Sequence, residues 1–83
     1  MRGARTVYVI QSEVAPTQHY VGLTSNIVGR LAAHNAGESP HTRKHRPWRI
    51  LVTVQLATED HATRFERYLK SGSGRAFLKR HFA

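Results

Sequence analysis

Three short apolar segments alternate with amphipathic stretches along the chain, and this pattern predicts an α+β fold. Residues 6–10 and 19–22 are rich in β-branched and aromatic side chains. The segment between them is turn-prone and contains Pro16, so the two runs predict an antiparallel β-hairpin with a long loop. Residues 48–56 include five aliphatic side chains and predict a third, well-buried strand.

Amphipathic stretches between and after these strands predict three helices. Residues 24–26 all carry side chains that can cap a helix start, and the apolar stripe that follows includes Val28. Thr58 caps the second helix, and Gly72 ends it before a short third helix. The predicted order is therefore ββαβαα, with a small three-stranded sheet, mixed or antiparallel, flanked by helices.

Length and composition restrict the class of protein. A chain of 83 residues predicts a single domain over residues 1–83 with a modest core. The absence of cysteine excludes a disulfide framework and a thiolate zinc site. The sequence shows no signal-peptide hydrophobic segment and no apolar run near the roughly 18–20 residues that cross a bilayer. We expect a cytoplasmic protein with no membrane partner.

Charge gives the strongest compositional signal. Thirteen Lys and Arg against five Asp and Glu give a net charge of +8. Such an excess is typical of proteins that bind nucleic acid, although a basic surface can also serve solubility or bind acidic membranes. Ordinary solvated charge explains any single basic residue equally well. The residues expected to contact phosphates are Arg43, Lys44, Arg46, Lys70, Arg75, Lys79 and Arg80.

Five other residues are candidates for chemistry. Tyr8 and Tyr20 lie on paired strands, where the two-residue period places both phenols on one face. Arg30 and His34 are four residues apart, so they share a helix face beside the apolar stripe. Glu66 lies next to the buried seam of the second helix, where a carboxylate needs a partner. Each also has an ordinary explanation, in core packing, partial burial or an ion pair with arginine.

The histidines offer one rival chemistry. His41 and His45 would clamp a zinc ion if they lay one helical turn apart. The segment that holds them is bracketed by Pro40 and Pro47, which predicts a loop, and no other ligand is near in sequence. A zinc site is therefore disfavoured.

The order of the five candidates resembles the GIY-YIG nuclease family. Thr6-Val7-Tyr8 stands where the family has Gly-Ile-Tyr, and Tyr20-Val21-Gly22 is a near match to the second motif. Arg30 and His34 then follow on a helix, and Glu66 on a later one. Similarity to the small stand-alone bacterial members extends through residues 31–37, 42–47 and 65–70, so that the resemblance covers about residues 6–82.

The resemblance implies a role for each candidate. Tyr8 and Tyr20 would contact the scissile phosphate and the attacking water, and Arg30 would neutralise phosphate charge. His34 would lie near the nucleophile, and Glu66 would hold one divalent ion, Mg²⁺ or Mn²⁺. Either Tyr8 or His34 is the general base; we expect a shared role in which Tyr8 contacts the water, with its pKa lowered by Arg30 or the metal.

One departure accompanies this resemblance. Many family members carry an Asn shortly after the metal-binding Glu, whereas this chain has no Asn beyond Asn35. A basic residue would have to supply that phosphate contact.

The sequence thus predicts a divalent-metal-dependent endonuclease that acts on DNA in repair or recombination. The lack of an exposed aromatic platform favours selection by structure, on branched, flapped or single-stranded DNA, over selection by sequence. RNA stays open as a substrate. The alternatives are a non-catalytic DNA- or RNA-binding module with the same fold and an interaction module in a larger repair assembly.

Overall fold

The computed structural model describes residues 3–82, which form a three-stranded sheet with helices on both faces. The strands are β1 (Thr6–Ser12), β2 (His19–Thr24) and β3 (Trp48–Gln55), and the helices are α1 (Ile27–Asn35), α2 (Glu59–Lys70) and α3 (Gly72–His81). The predicted α+β fold and the order ββαβαα are confirmed. Met1, Arg2 and Ala83, which the prediction of one domain over 1–83 includes, lie outside the described residues.

Strand β1 is the centre of the sheet. The strand order is β2-β1-β3, and β1 pairs antiparallel with both neighbours. The hairpin register places Tyr8 opposite Gly22 and Ile10 opposite Tyr20. Because side chains alternate along a strand, Tyr8 and Tyr20 project from the same face of the sheet. The prediction that both phenols share a face is confirmed.

One face of the sheet carries an aliphatic core. Val7, Val9 and Val21 pack against α2 and α3, whose buried contributions are listed as Ala62, Leu69 and Leu78. Full burial of an aliphatic side chain contributes roughly 1.5–3 kcal/mol, so this face is a major source of stability.

The opposite face carries a mixed aromatic and polar core. Tyr8, Ile10 and Trp48 are buried there against Ile27 and Leu31 of α1. The expectation that Val28 belongs to the buried stripe is wrong, because its side chain is 78% exposed. Instead, the stripe continues one turn beyond Leu31 to His34, which is 2% exposed. The inner face of α1 therefore ends on an imidazole.

Strand β3 differs from its prediction. Only Trp48 is buried in this strand, and its other side chains are partly or fully exposed. The reason is its place in the sheet: β3 pairs with β1 alone and forms an edge, so a continuous apolar run does not give burial on both faces. The expectation of a well-buried strand was wrong.

Helix boundaries follow capping chemistry. The Asn26 side chain accepts a hydrogen bond from the Gly29 amide, and the Thr58 side chain accepts one from the His61 amide. The end of α2 was placed incorrectly at Gly72. Ser71 both closes α2 and caps α3, because its hydroxyl donates to the Tyr68 carbonyl and accepts from the Gly74 amide.

The helices of residues 3–82 are all too short or too polar to cross a membrane.

Candidate active site

Three side chains form a hydrogen-bonded series between β1, α1 and the loop that precedes β3. The Tyr8 hydroxyl is 2.8 Å from Nε2 of His34, and Nδ1 of the same ring is 2.7 Å from the Thr42 hydroxyl. Tyr8 and His34 are each 2% exposed, and Thr42 is fully buried. Both nitrogens of the imidazole therefore have a partner, as a buried polar group requires.

Burial keeps the Tyr8 phenol and the His34 imidazole neutral. Desolvation raises the pKa of Tyr8 from 10.0 to about 12; the Tyr20 phenol adds to the rise, Arg30 opposes it and Glu66 reinforces it. The expectation that Arg30 would bring this pKa down overall is wrong, because burial and the neighbouring acids outweigh the guanidinium. Desolvation and then Arg30 lower the pKa of His34 below its ordinary 6.5.

Tyr20 completes an aromatic group around the imidazole. Its ring meets the His34 ring edge-on at 5.0 Å between centroids and lies 6.4 Å from the Tyr8 ring. Gly22 makes room for this arrangement, because a Cβ at that position would overlap the Tyr8 ring. The Tyr20-Val21-Gly22 motif therefore requires a glycine at its third position, to leave room for the Tyr8 ring.

Arg30 and Glu66 lie on different helices, and both influence the pKa of Tyr8. Arg30 lies exposed on α1, and its guanidinium has no hydrogen-bond or ion-pair partner within residues 3–82. Glu66 lies on α2, which packs against the edge strand β2. Since both charges act on the pKa of Tyr8, both lie within electrostatic reach of its hydroxyl. Direct contacts therefore join Tyr8, Tyr20 and His34, and Arg30 and Glu66 are linked to them through their effect on the pKa of Tyr8.

The Glu66 carboxylate has one cationic neighbour. Lys70 Nζ is 3.1 Å from it, one helical turn along α2, and the Glu66 side chain is only 18% exposed. No group of three or more His, Asp or Glu side chains that could hold a metal occurs in the part of the chain that the structure describes. Neither a zinc site that includes His41 and His45 nor a site with several carboxylates is present there.

The donor chemistry nevertheless fits a weakly held magnesium ion. Mg²⁺ prefers oxygen ligands, keeps several waters and often takes only one or two carboxylates from the protein. Glu66 is such a carboxylate, and substrate phosphate oxygens would complete the set. Lys70 would have to release the carboxylate oxygen that it now contacts.

The predicted phosphate contacts fall into two groups, and the first lines a groove. Lys70, Arg75 and Lys79 line a groove of about 880 Å³ between the β1–β2 loop and α3, and Tyr20 forms part of the same wall. Leu69 and Leu78 of the aliphatic core also line this groove. This places three of the predicted phosphate contacts in one groove, whose lining also includes Tyr20.

The other predicted phosphate contacts do not line the groove. Arg43 and Arg46 lie in the loop before β3, where their Nε atoms donate to the Gly37 and Arg43 carbonyls respectively. Lys44 lies between them on a short 3₁₀ turn, Arg43–His45, and is exposed. Arg80 is exposed on α3. The two arginines of the loop thus also hold its shape.

Thr42 was not among the predicted site residues. It lies in a segment whose polar and basic composition predicts an exposed loop, yet its side chain is fully buried against His34. A threonine in such a segment is an ordinary turn residue, and its sequence neighbourhood gives no sign of burial. The only signal was the position of Thr42 within one of the segments similar to the bacterial relatives.

Comparison with known proteins identifies the family. Residues 5–80 match the GIY-YIG catalytic domain. The chain belongs to the GIY-YIG nuclease family. The resemblance stated on the motif residues is therefore confirmed.

Two curated relatives resemble different extents of this GIY-YIG domain. A UPF0213 protein of Staphylococcus haemolyticus is 30% identical over 74 residues, which cover 88% of each chain. The structure-specific endonuclease subunit SLX1 of Scheffersomyces stipitis is 41% identical over 54 residues, or 58% of this chain. That match covers only 16% of the yeast protein, so most of its length has no counterpart here.

A solved structure shows the same fold. The solution structure of a UPF0213 protein from Bacillus halodurans superposes with a TM-score of 0.55 and 24% sequence identity. The alignment covers 93% of this chain and 83% of the other. The similarity supports the arrangement of the three strands and three helices.

Proposed function

We propose that this GIY-YIG domain is a divalent-metal-dependent endonuclease that hydrolyses phosphodiester bonds in DNA. The observation that carries the proposal is the 2.8 Å contact between the Tyr8 hydroxyl and His34 Nε2, with both groups neutral. A neutral phenol that faces a neutral imidazole can pass a proton without first ionising. The other three site residues supply the charges that a phosphate requires.

Tyr8 and His34 act together on the attacking water. The Tyr8 oxygen accepts a proton from the water while the phenol proton moves to His34 Nε2. The resulting hydroxide attacks phosphorus, and the bond to the leaving oxygen breaks. Tyr8 is neutral before and after the transfer, which removes the obstacle of its high pKa, and His34 becomes the imidazolium.

Arg30 and Glu66 contribute electrostatics. The Arg30 guanidinium presents a planar set of donors that match the oxygens of a phosphate, and it carries charge at any working pH. Glu66 would hold one Mg²⁺ or Mn²⁺. When bound, such an ion supplies Lewis-acid stabilisation of the leaving oxygen.

The groove suggests how the substrate is oriented. A strand that places its scissile phosphate beside Tyr8 and Tyr20 can continue along Lys70, Arg75 and Lys79, which contact phosphates without reading sequence. We therefore propose selection by DNA structure, such as a branch, a flap or a single-stranded region. The name of the yeast relative, a structure-specific endonuclease subunit, supports this choice. We also propose a role in DNA repair, and the word subunit in the same name supports action within a larger assembly.

The test is cleavage of supercoiled plasmid and of flapped and duplex oligonucleotides with magnesium, manganese or EDTA. Glu66→Gln is expected to lower the rate by about 100-fold or more, because one preorganised electrostatic contribution is lost. Asp60→Asn is the matched control. Asp60 also forms an i to i+4 ion pair on α2, with Arg64, but its side chain is far more exposed than that of Glu66. Equal effects of the two substitutions would contradict the role of Glu66.

The second candidate function is a non-catalytic binding module. The contact between Lys70 and Glu66 favours it, because Lys70 occupies the carboxylate that would hold the metal. Tight, salt-dependent binding of DNA without cleavage, at every metal tested, would establish that function instead.

A further inference from the structure

The proton transfer proposed above depends on which nitrogen of His34 carries the proton. A neutral imidazole has one N–H donor and one acceptor nitrogen. If the proton is on Nδ1, His34 Nε2 accepts from the Tyr8 hydroxyl and can take its proton. If the proton is on Nε2, the imidazole donates to Tyr8 and cannot act as the acceptor. The Thr42 hydroxyl, at 2.7 Å from Nδ1, would accept from the ring in the first form and donate to it in the second. Because the neutral Tyr8 hydroxyl needs an acceptor and lies 2.8 Å from Nε2, the contact at Nε2 favours the first form.

We propose that Thr42 is a positioning residue, whose hydroxyl accepts the Nδ1–H of His34 and so presents an unprotonated Nε2 to Tyr8. The inference rests on the proposed function. The same contact serves both states of the ring, because imidazolium also carries a proton on Nδ1. Thr42 therefore keeps its hydrogen bond while His34 takes up and releases the proton at Nε2, and no rearrangement accompanies the transfer.

The surroundings of Thr42 direct its hydroxyl to His34. Its side chain is fully buried, and His34 is the only side chain within residues 3–82 that forms a hydrogen bond with its hydroxyl. A buried hydroxyl without a partner destabilises the fold, so this position favours a residue that meets the imidazole. Burial also excludes water that would compete for Nδ1.

The backbone of Thr42 is held by a brace that joins the loop to α1. The Trp48 indole donates from Nε1 to the Thr42 carbonyl at 2.7 Å. The Asn35 side-chain amide in turn holds the Trp48 backbone through two hydrogen bonds. The Trp48 N–H donates to Asn35 Oδ1 at 2.6 Å, and the Trp48 carbonyl accepts from Asn35 Nδ2 at 3.0 Å. Because Asn35 directly follows His34 on α1, the brace fixes the distance between the imidazole and the hydroxyl.

Titratable and charged groups from each neighbouring element bear on His34. Tyr8 reaches it from β1 and Tyr20 from β2, and Arg30 acts on it from its own helix. The loop contributes Thr42, which carries no charge. None of these groups other than Thr42 forms a hydrogen bond with Nδ1 in the described residues.

The decisive experiment reads the tautomer directly, without activity. Long-range ¹H–¹⁵N spectra of the labelled, full chain are expected to show His34 with protonated Nδ1 and unprotonated Nε2 above its pKa. In Thr42→Val the acceptor is lost and the proton shifts toward Nε2, whereas Thr42→Ser retains the wild-type tautomer. A wild-type ring protonated on Nε2, or a Thr42→Val ring with an unchanged tautomer, overturns the proposal.

The cleavage assay provides the second readout. Thr42→Val is expected to lower the rate by about 10- to 100-fold, the range that loss of an orienting partner costs at metal-ligating histidines. Thr42→Ser is expected to keep the wild-type rate. Ser12→Ala is the control: the Ser12 hydroxyl is also fully buried and braces the same loop through the His45 carbonyl, but it does not contact His34. It is expected to lower stability and leave the tautomer unchanged.

The two readouts separate this inference from the proposed function. If wild-type protein binds DNA without cutting, the proposed function fails, while the tautomer still decides the role of Thr42. If wild-type protein cuts DNA but His34 carries its proton on Nε2, the function stands and the role of Thr42 is refuted. If Thr42→Val does not fold, the wild-type and Thr42→Ser spectra still test the proposal.

Discussion

The two faces of the sheet bury side chains of different chemistry. On the α2–α3 side, Val9 and its neighbours meet aliphatic side chains, and burial there requires no polar partner. On the α1 side, Tyr8, His34 and Thr42 bury a phenol, an imidazole and a hydroxyl that satisfy one another. In the first arrangement the removal of a side chain leaves a cavity, whereas in the second it also leaves a polar partner unpaired. Both faces thus stabilise the fold through buried apolar side chains, and the groups that can move protons lie on the α1 face.

The largest expected effect distinguishes the polar face from the rest of the molecule. Tyr8→Phe and His34→Gln each interrupt the proton path and should lower the cleavage rate by about 100- to 10,000-fold, the usual contribution of general acid–base catalysis. Single-turnover cleavage measures this rate, with circular dichroism to show that the variants fold. If Tyr8→Phe cut at near the wild-type rate while His34→Ala were inactive, Tyr8 would have no part in the transfer.

Substitution of Val9, the next residue on β1, is expected to change stability and not the cleavage rate. Val9 is adjacent to Tyr8 in sequence, but it is buried on the aliphatic face. Val9→Ala is expected to lower the free energy of unfolding by about 1.5–3 kcal/mol, because buried apolar atoms are lost, and to leave the rate per folded molecule unchanged. Urea denaturation and cleavage assays measure the two quantities. A rate that falls as far as in Tyr8→Phe would show that the faces are not independent.

Gly22 tests the contact between the hairpin and the polar face. A Cβ at this position would overlap the Tyr8 ring, so Gly22→Ala is expected to cost about 1–3 kcal/mol of stability and to move the phenol away from His34. Gly72→Ala is the matched control, because a Cβ there has no neighbour within 4 Å in the described structure. It should leave stability unchanged or raise it by up to about 1 kcal/mol. Equal thermal stability of the two variants would contradict the packing argument.

The pH dependence of cleavage tests the protonation states. His34 accepts a proton only when neutral, so the rate should fall about tenfold per pH unit below its pKa, which burial places under 6.5. The pKa of Tyr8 is about 12, so its ionisation should not affect the rate near neutral pH.

The stability of the folded protein is expected to fall with decreasing pH, as the cleavage rate does. Because the pKa of His34 is lower in the folded state than in the unfolded chain, its contribution to stability is present above 6.5 and is lost as the pH falls through the folded value. Rates must therefore be measured where circular dichroism shows folded protein. An acid midpoint above 6.5 would mean that a group other than this buried imidazole limits the reaction.

Local patterns in the sequence predicted the elements better than their surroundings. Strand spacing gave the hairpin, and the two-residue period placed Tyr8 and Tyr20 on one face. The same reasoning misplaced β3, since an apolar run does not reveal whether a strand has one neighbour or two. It also misplaced Val28, because helical periodicity indicates a stripe but not which side of it meets the sheet.

By itself, the sequence determined the family, the order of the elements and the identities of the five candidate residues, because these depend on local spacing and on motif order. Tertiary structure alone decided that Thr42 is buried against His34, that Glu66 on α2 acts on Tyr8 in β1, and that burial outweighs Arg30 in the pKa of Tyr8. Contacts between residues distant in sequence and desolvation are properties of the packed chain. A phenol acquires its proton affinity from the groups that enclose it, and those groups come together only when the chain folds.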